Sequence, residues 1–73
     1  MNSGNILMSI SVNGEYHDID TGTTVAHLVE RYAPATRGIS VAIDGDIVPK
    51  SMWAETQLKE DCRVEIITAV AGG

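Results

Sequence analysis

The stretch ILMSISVNGEYHDID, residues 6–20, decides the fold of this 73-residue chain. Apolar residues alternate up to Asn13–Gly14, which predicts a strand with one buried face. Asn-Gly is the strongest short signal for a type I′ hairpin, because that turn needs positive φ at both positions. Residues 15–20 then form the return strand. A two-residue turn fixes the register, which pairs Met8 with Ile19, Ile10 with His17 and Val12 with Glu15.

The segment after the hairpin predicts one short helix, VAHLVERY, residues 25–32. Thr24 has the residue type of an N-cap, and Pro34 ends the helix. One face is apolar, because apolar side chains recur at helical spacing: Val25, Leu28, Val29 and Tyr32. A helix this short is not stable alone in water. It therefore has to pack against a sheet.

The second half of the chain predicts three more strands. ISVAI, residues 39–43, leads through an Asp44–Gly45 turn into a short strand over residues 46–49. Pro49 lacks an N–H, so this strand ends there or lies at an edge. Residues 50–58 form a connector with one helical turn. Residues 63–70, RVEIITAV, are apolar on both faces, which favours the centre of the sheet.

These elements follow the order ββαβββ and predict the α+β class, with one main helix packed across a small mixed sheet of four or five strands. We expect a single domain over residues 1–73, with a loose leader at residues 1–5 and a flexible tail at residues 69–73. At this length the chain has no room for a deep enclosed active site. Trp53 is expected to cover one end of the core, with contact to a partner as the alternative.

Composition excludes several classes of function. The net charge is −5, and the five Lys and Arg residues are scattered, so nucleic-acid binding is not expected. Neither a signal peptide nor a long apolar run is evident, which predicts a cytoplasmic protein without a membrane segment. The single cysteine, Cys62, forms no internal disulfide. We expect it to be a small buried side chain, and its role is left open.

No catalytic or metal-binding constellation stands out. His17 and His27 lack partners at metal-ligand spacing, so both are read as structural. Asp44 and Asp46 flank Gly45 as in a calcium loop, but the rest of that pattern is missing, and a turn is the better interpretation. The sequence therefore predicts no metal, no tightly bound cofactor and no enzyme.

Three segments resemble the ThiS family of sulfur carriers, which have the β-grasp, or ubiquitin-like, fold. They are TVAHLVERY at residues 24–32, VAIDGDIVPKSMW at residues 41–53 and VEIITAVAGG at residues 64–73. The run Val48-Pro49-Lys50-x-x-Trp53 and the final Gly72–Gly73 carry most of the specificity. The chain departs from the family at residues 60–62, Glu-Asp-Cys, where the family has an acidic-Gly-Asp turn.

The resemblance implies a protein co-substrate rather than an enzyme. A ThiF-type adenylyltransferase would use ATP to activate the carboxylate of Gly73, and a sulfur donor would convert it to a thiocarboxylate. Thiazole synthase, which builds the thiazole of thiamine, would receive the sulfur. Ala71 and Gly72 would let the carboxylate reach into partner sites, since glycine enters narrow slots. Val70, Ile67 and Ile47 are candidates for docking, with a place in the core as the alternative for each.

One related function and two functions of other classes remain open at this point. The small subunit of molybdopterin synthase also ends in Gly-Gly, but tends to be longer and richer in Phe, which this chain lacks. A ubiquitin-like modifier or interaction module would form isopeptide bonds through Gly73. An adaptor with an inert tail is the plainest alternative. The Val48-to-Trp53 run favours the thiamine-pathway carrier.

Overall fold

The computed structural model describes residues 6–33 and 38–68. Within these ranges the elements are β1 (Leu7–Val12), β2 (Glu15–Asp20), α1 (Val25–Tyr32), β3 (Ile39–Ile43), β4 (Asp46–Val48), a 3-10 helix (Lys50–Glu55) and β5 (Arg63–Thr68). This is the order predicted from the sequence. β1 begins at Leu7, one residue later than predicted, and Ile6 before it is 65% exposed. The predicted leader, residues 1–5, and residues 69–70 of the last strand lie outside the described residues.

The five strands form one mixed sheet in the order β2-β1-β5-β3-β4. β5 pairs in parallel with β1 and antiparallel with β3. The prediction that the last strand is central is therefore confirmed. β4 lies at the edge and ends just before Pro49, as the missing proline N–H requires.

Both predicted tight turns have the geometry expected of a type I′ hairpin. The first turn has φ of 51° at Asn13 and 89° at Gly14, and the second has 50° at Asp44 and 89° at Gly45. The β1–β2 register agrees with the predicted one at each of the three pairs. Asparagine and aspartate tolerate the left-handed region better than other residues with a Cβ.

The helix begins and packs as its sequence predicts. The side-chain hydroxyl of Thr24 accepts a hydrogen bond from the backbone N–H of His27 at 3.2 Å, which satisfies one free N–H of the first turn. Val25, Leu28 and Val29 are buried. Tyr32 is half-buried at the edge of the core. Pro34, the predicted stop, lies outside the described residues.

The core lies between α1 and one face of the sheet, which we call the inner face. Its buried members are Met8, Ile10, Val12, Ile19, Val25, Leu28, Val29, Val41, Trp53, Leu58, Cys62 and Val64. In the described part of the chain, no polar or charged residue is buried with them. Full burial of an apolar side chain contributes about 1.5–3 kcal/mol, so this cluster supplies the main stabilising term.

The turn before β5 forms without the glycine that the family pattern has there. Asp61 adopts the left-handed conformation itself, with φ of 63°. Its backbone N–H donates to the carbonyl of Ser9 at 2.7 Å, and the carboxylate of Glu60 accepts from the Ser9 N–H at 3.1 Å. These contacts tie the turn to β1. No helix within residues 6–33 and 38–68 has the length and hydropathy needed to cross a bilayer.

Candidate functional site

Two of the predicted docking residues, Ile47 and Ile67, lie on the outer face of the sheet, opposite α1. Ile47 on β4 is 62% exposed and Ile67 on β5 is 50% exposed. Between the two strands, Ala42 on β3 pairs with Ile47 on one side and with Glu65 on the other. Ile67 is the next outer-face residue along β5 after Glu65. We call Ile47, Ala42 and Ile67 the outer patch; Ala42 is only 3% exposed, and the cross-strand partner of Ile67 on β3 is the polar Ser40.

This position removes the core alternative for Ile47 and Ile67. Strand alternation puts Val64 and Ile66 on the inner face, so Ile67 has to face outward. Both isoleucine side chains are available for contact with another protein, although single exposed apolar residues are also common on protein surfaces. Their docking role stays a prediction.

The remaining predicted site residues, Val70, Ala71, Gly72 and Gly73, lie outside the described residues. The described part of the chain ends at Thr68. Thr68, the last residue of β5, pairs with Ile39 of β3. Ile67, one residue earlier, belongs to the outer patch. The described chain thus ends on the central strand, one residue after the exposed side chain of Ile67.

Side chains of the two hairpin turns hold β5 near both ends. At its start, the N–H of Arg63 donates to a carboxylate oxygen of Asp44 at 2.9 Å, and the N–H of Asp44 donates to the Arg63 carbonyl at 2.8 Å. Near its end, the N–H of Ile66 donates to Oδ1 of Asn13 at 2.8 Å. The Nδ2 group of Asn13 donates back to the Ile66 carbonyl at 3.3 Å.

An open groove of about 440 Å³ lies on the other side of the end of β5. Its lining includes His17, Tyr32, Ile66 and Thr68. The rings of His17 and Tyr32 are tilted against each other, with centroids 4.7 Å apart. Nε2 of His17 is 3.8 Å from a carboxylate oxygen of Glu15. The end of β5 thus separates two different surfaces, the outer patch and this groove, whose lining also holds the titratable side chains of Glu15 and His17.

Trp53 is a core residue with a satisfied polar atom. It is 5% exposed, and its indole N–H donates to the Val48 carbonyl at 2.9 Å. The interpretation that it covers one end of the core is confirmed. Little of the ring is left for contact with a partner.

Cys62 is buried as expected, and its environment disfavours the thiolate form. Burial raises the pKa of the Cys62 thiol, and the nearby Asp44 carboxylate raises it further, against the opposing effect of a hydrogen bond involving the Lys59 backbone. A neutral buried thiol is a poor nucleophile. Across residues 6–33 and 38–68, His, Cys, Asp and Glu side chains form no cluster that could hold a metal ion. The Asp44–Asp46 segment is a turn, as predicted.

The comparison with protein families decides what this geometry belongs to. The model of the ThiS family matches residues 10–73, nearly the whole chain, and the match includes Gly72 and Gly73. The chain belongs to the ThiS family. The prediction made from the three sequence segments is thereby confirmed.

Individual ThiS proteins are also similar to this chain over most of its length. The sulfur carrier protein ThiS of Escherichia coli (strain K12) is 29% identical over 66 residues, which are 90% of this chain and all of that protein. The crystal structure of the thiamine biosynthesis protein ThiS from Geobacter metallireducens superposes with a TM-score of 0.73 at 25% identity. It covers 90% of this chain and 100% of that one. This likeness confirms the β-grasp fold.

Two thiazole synthases also contain a ThiS-like stretch. Those of Paramagnetospirillum magneticum (strain ATCC 700264 / AMB-1) and Magnetococcus marinus (strain ATCC BAA-1437 / JCM 17883 / MC-1) are each 29% identical over 66 residues. The match covers 90% of this chain. This chain spans only 20% of the length of either protein.

Sequence reasoning identified Asn13 and Asp44 only as turn residues and missed their contacts with β5. The Asn13–Ile66 contact joins residues 53 positions apart. Periodicity within one strand does not report which strand lies alongside it. The available signal was Asn13 itself, because the side-chain amide at this first turn position has both a donor and an acceptor.

Proposed function

We propose that this chain is a sulfur carrier of thiamine biosynthesis, with the carboxylate of Gly73 as the group that carries the sulfur. The observation that supports it most is the ThiS family match running through Gly72 and Gly73. The E. coli sulfur carrier protein ThiS, matched over its entire length, supports the same function. A small body with no catalytic constellation in its described part suits a carrier that partner enzymes act upon.

The chemistry follows from the weakness of a carboxylate as an electrophile. A ThiF-type adenylyltransferase joins the Gly73 carboxylate to the α-phosphate of ATP, which gives an acyl-adenylate and releases pyrophosphate. The terminal sulfur of a persulfide donor then attacks the acyl carbon, and AMP leaves. A second thiol breaks the sulfur–sulfur bond of the resulting acyl disulfide. The products are the thiocarboxylate of Gly73 and a disulfide between the donor sulfur and that thiol.

The folded body contributes recognition in this proposal. The outer patch beside the end of β5 offers apolar contact, and the net charge of −5 favours a basic partner surface. Ordering a free segment costs about 1–2 kcal/mol per residue, so the C-terminal segment alone would bind weakly. Docking of the body raises the effective concentration of the reactive group in the partner's site.

Thiazole synthase is the proposed recipient of the sulfur. Two thiazole synthases carry a segment similar to this chain within their own polypeptide, which supports a working association between carrier and synthase. Covalent joining of two modules is one way to raise their mutual effective concentration. In this chain the same association would be reached by docking.

Intact-mass measurement tests the proposal. The chain is incubated with its activating enzyme, ATP and a persulfide donor, and we expect the mass gain of one oxygen replaced by sulfur. A variant lacking Gly73 keeps the fold and is expected to show no gain. An unchanged mass of the full chain, with an enzyme proven active on another ThiS-family carrier, would sink the proposal.

The loaded chain then identifies the pathway. Turnover with thiazole synthase supports the thiamine pathway, whereas turnover with molybdopterin synthase alone would move the chain to that pathway. Isopeptide-linked conjugates in place of thiocarboxylate would identify a modifier.

A further inference from the structure

We propose that Asn13 is a positioning residue for the carrier reaction, because its side-chain amide holds the end of β5 from which the reactive C-terminal segment continues. The inference rests on the proposed function for its kinetic consequence. Its structural basis, the two hydrogen bonds between the Asn13 side chain and Ile66, stands independently of any function.

The Asn13 side chain takes the place of a peptide group in the β1–β5 ladder. In a parallel ladder, alternate residues of one strand donate to and accept from residues on either side of their partner. Ser11 N–H donates to the Cys62 carbonyl at 3.1 Å, and Asn13 N–H donates to the Val64 carbonyl at 2.9 Å. The next bond in this series would run from Ile66 N–H to the backbone carbonyl of residue 13.

The backbone carbonyl of Asn13 does not accept this hydrogen bond, because the chain turns at Asn13, where φ is 51°. Oδ1 of Asn13 accepts from Ile66 N–H instead, at 2.8 Å. Nδ2 of Asn13 donates to the Ile66 carbonyl at 3.3 Å. If β1 continued as a strand, this carbonyl would instead accept from the next backbone N–H of β1 in the ladder. A primary amide has the donor and acceptor of a peptide group. The parallel ladder is thus extended one step beyond the hairpin turn.

The extra ladder step formed by the Asn13 side chain affects how the last residues of β5 are held. Without the side chain, the parallel ladder would end at the pairing of Val12 with Val64. The last residues of β5 would then be hydrogen-bonded to β3 alone, through pairings such as Ile39 with Thr68. With it, β5 is held on both sides up to Ile66, two residues before Thr68. The direction of β5 at its described end is fixed accordingly.

Direction at this point bears on rate more than on affinity. The outer patch docks the body, and a reacting carboxylate five residues beyond Thr68 still has to meet the partner's catalytic groups. A misplacement of about 1 Å can cost a hundredfold in rate. Loss of the Asn13 contact should therefore lower kcat while KM, set by the docked body, changes little.

The two hairpin turns supply matched variants. Asn13→Gly keeps the turn, because glycine accepts positive φ, and removes both side-chain bonds. Asp44→Gly does the same in the second turn and removes the Asp44–Arg63 bond at the opposite end of β5. Asn13→Asp keeps the acceptor for Ile66 N–H and loses the donor. Comparison of the three variants shows whether an effect comes from losing any side-chain hydrogen bond to β5 or only from losing the bonds at the Ile66 end.

The experiment combines hydrogen exchange in the free protein with steady-state adenylation by the activating enzyme. Conditions are chosen where circular dichroism shows all variants folded. For Asn13→Gly we expect exchange of the Ile66 N–H at least about fivefold faster and kcat about tenfold lower, with KM within about twofold. Asn13→Asp should recover part of kcat. Asp44→Gly, which loses one side-chain hydrogen bond to β5 and keeps the backbone bond to Arg63, should leave kcat and the Ile66 exchange rate near their original values.

An unchanged kcat in Asn13→Gly, or an equal loss in Asp44→Gly, would overturn the positioning role while the sulfur-carrier function stands. If the unaltered chain is not adenylated by an active enzyme, the proposed function fails instead. The exchange data then decide the inference by themselves. Faster exchange confined to the end of β5 in Asn13→Gly supports the hold on β5, and unchanged exchange there refutes it.

Discussion

The indole N–H of Trp53 donates to the backbone carbonyl of Val48 at 2.9 Å, across the Pro49 link between β4 and the 3-10 helix. The bond fixes the 3-10 helix over one end of the core, with the indole buried below it. One side chain thereby joins a three-residue edge strand to the connector that follows it. Three-residue strands have few ladder bonds of their own, so this contact is expected to matter for stability.

Replacement of Trp53 should show how much of the fold depends on that contact. Trp53→Ala removes a large buried side chain, which typically costs about 3–5 kcal/mol, close to the whole net stability of about 3–5 kcal/mol expected at this size. We expect this variant to be largely unfolded by far-UV circular dichroism. Trp53→Phe retains most of the bulk and removes the indole donor to the Val48 carbonyl, which should cost about 0.5–1.5 kcal/mol. Met52→Ala, at a neighbouring residue that is 43% exposed, is the control and should change little.

The N-cap of α1 gives a second, smaller effect on stability. Thr24→Ala removes the acceptor for the His27 N–H and should lower the free energy of unfolding by about 1 kcal/mol. Thr24→Ser keeps the hydroxyl and should stay close to the original chain. Urea unfolding followed by circular dichroism measures both. Equal losses in the two variants would show that the methyl group, rather than the cap, is what matters.

The outer patch should affect binding without affecting folding. Ile47→Ser and Ile67→Ser alter exposed positions, so the free energy of unfolding should stay within about 0.5 kcal/mol. The double variant should raise KM in adenylation about tenfold, with kcat largely kept, because docking contacts act equally on ground and transition states. Leu7→Ser, an exposed substitution on β1 away from the patch, is the control. A rise in KM of the same size for Leu7→Ser would argue against a localised docking surface.

Cys62 should make stability depend on pH in the alkaline range. Burial raises the pKa of its thiol in the folded chain, so the folded state keeps the proton to higher pH than the unfolded state does. Below about pH 8.5, the ordinary thiol value, both states are protonated and no stability is lost. Above it the unfolded chain releases its proton first, and the free energy of unfolding falls as pH rises toward the folded-state pKa. Cys62→Ala should show a smaller fall between pH 8 and pH 10 in urea titrations. Identical slopes for the two chains would contradict this.

Much of the fold could be predicted because its determinants are local. Asn13–Gly14 set the hairpin register, Thr24 and the apolar spacing set the helix, and Pro49 ended β4. The departure at residues 60–62 was also visible, although its solution was not. Asp61 adopts positive φ where the family has glycine. Its hydrogen-bond partner Ser9 is far away in the sequence, on β1.

The rest depended on which strands become neighbours. Whether Ile47 and Ile67 were core or surface could not be read from their own strands, because that depends on the face that α1 covers. The contacts of Asn13 and Asp44 with β5 exist only because β5 enters between β1 and β3. The chemistry assigned to Gly73 came from family resemblance, since no spacing of side chains encodes a reactive terminal carboxylate.

The central position of β5 has a consequence for how the protein is made. β1 and β3, the strands on either side of it, are both synthesised earlier and do not pair with each other. On the ribosome the sheet therefore stays in two separate pieces until β5 has emerged, and its long-range pairings form last. A chain cut short before β5 has no continuous sheet and is open to proteolysis.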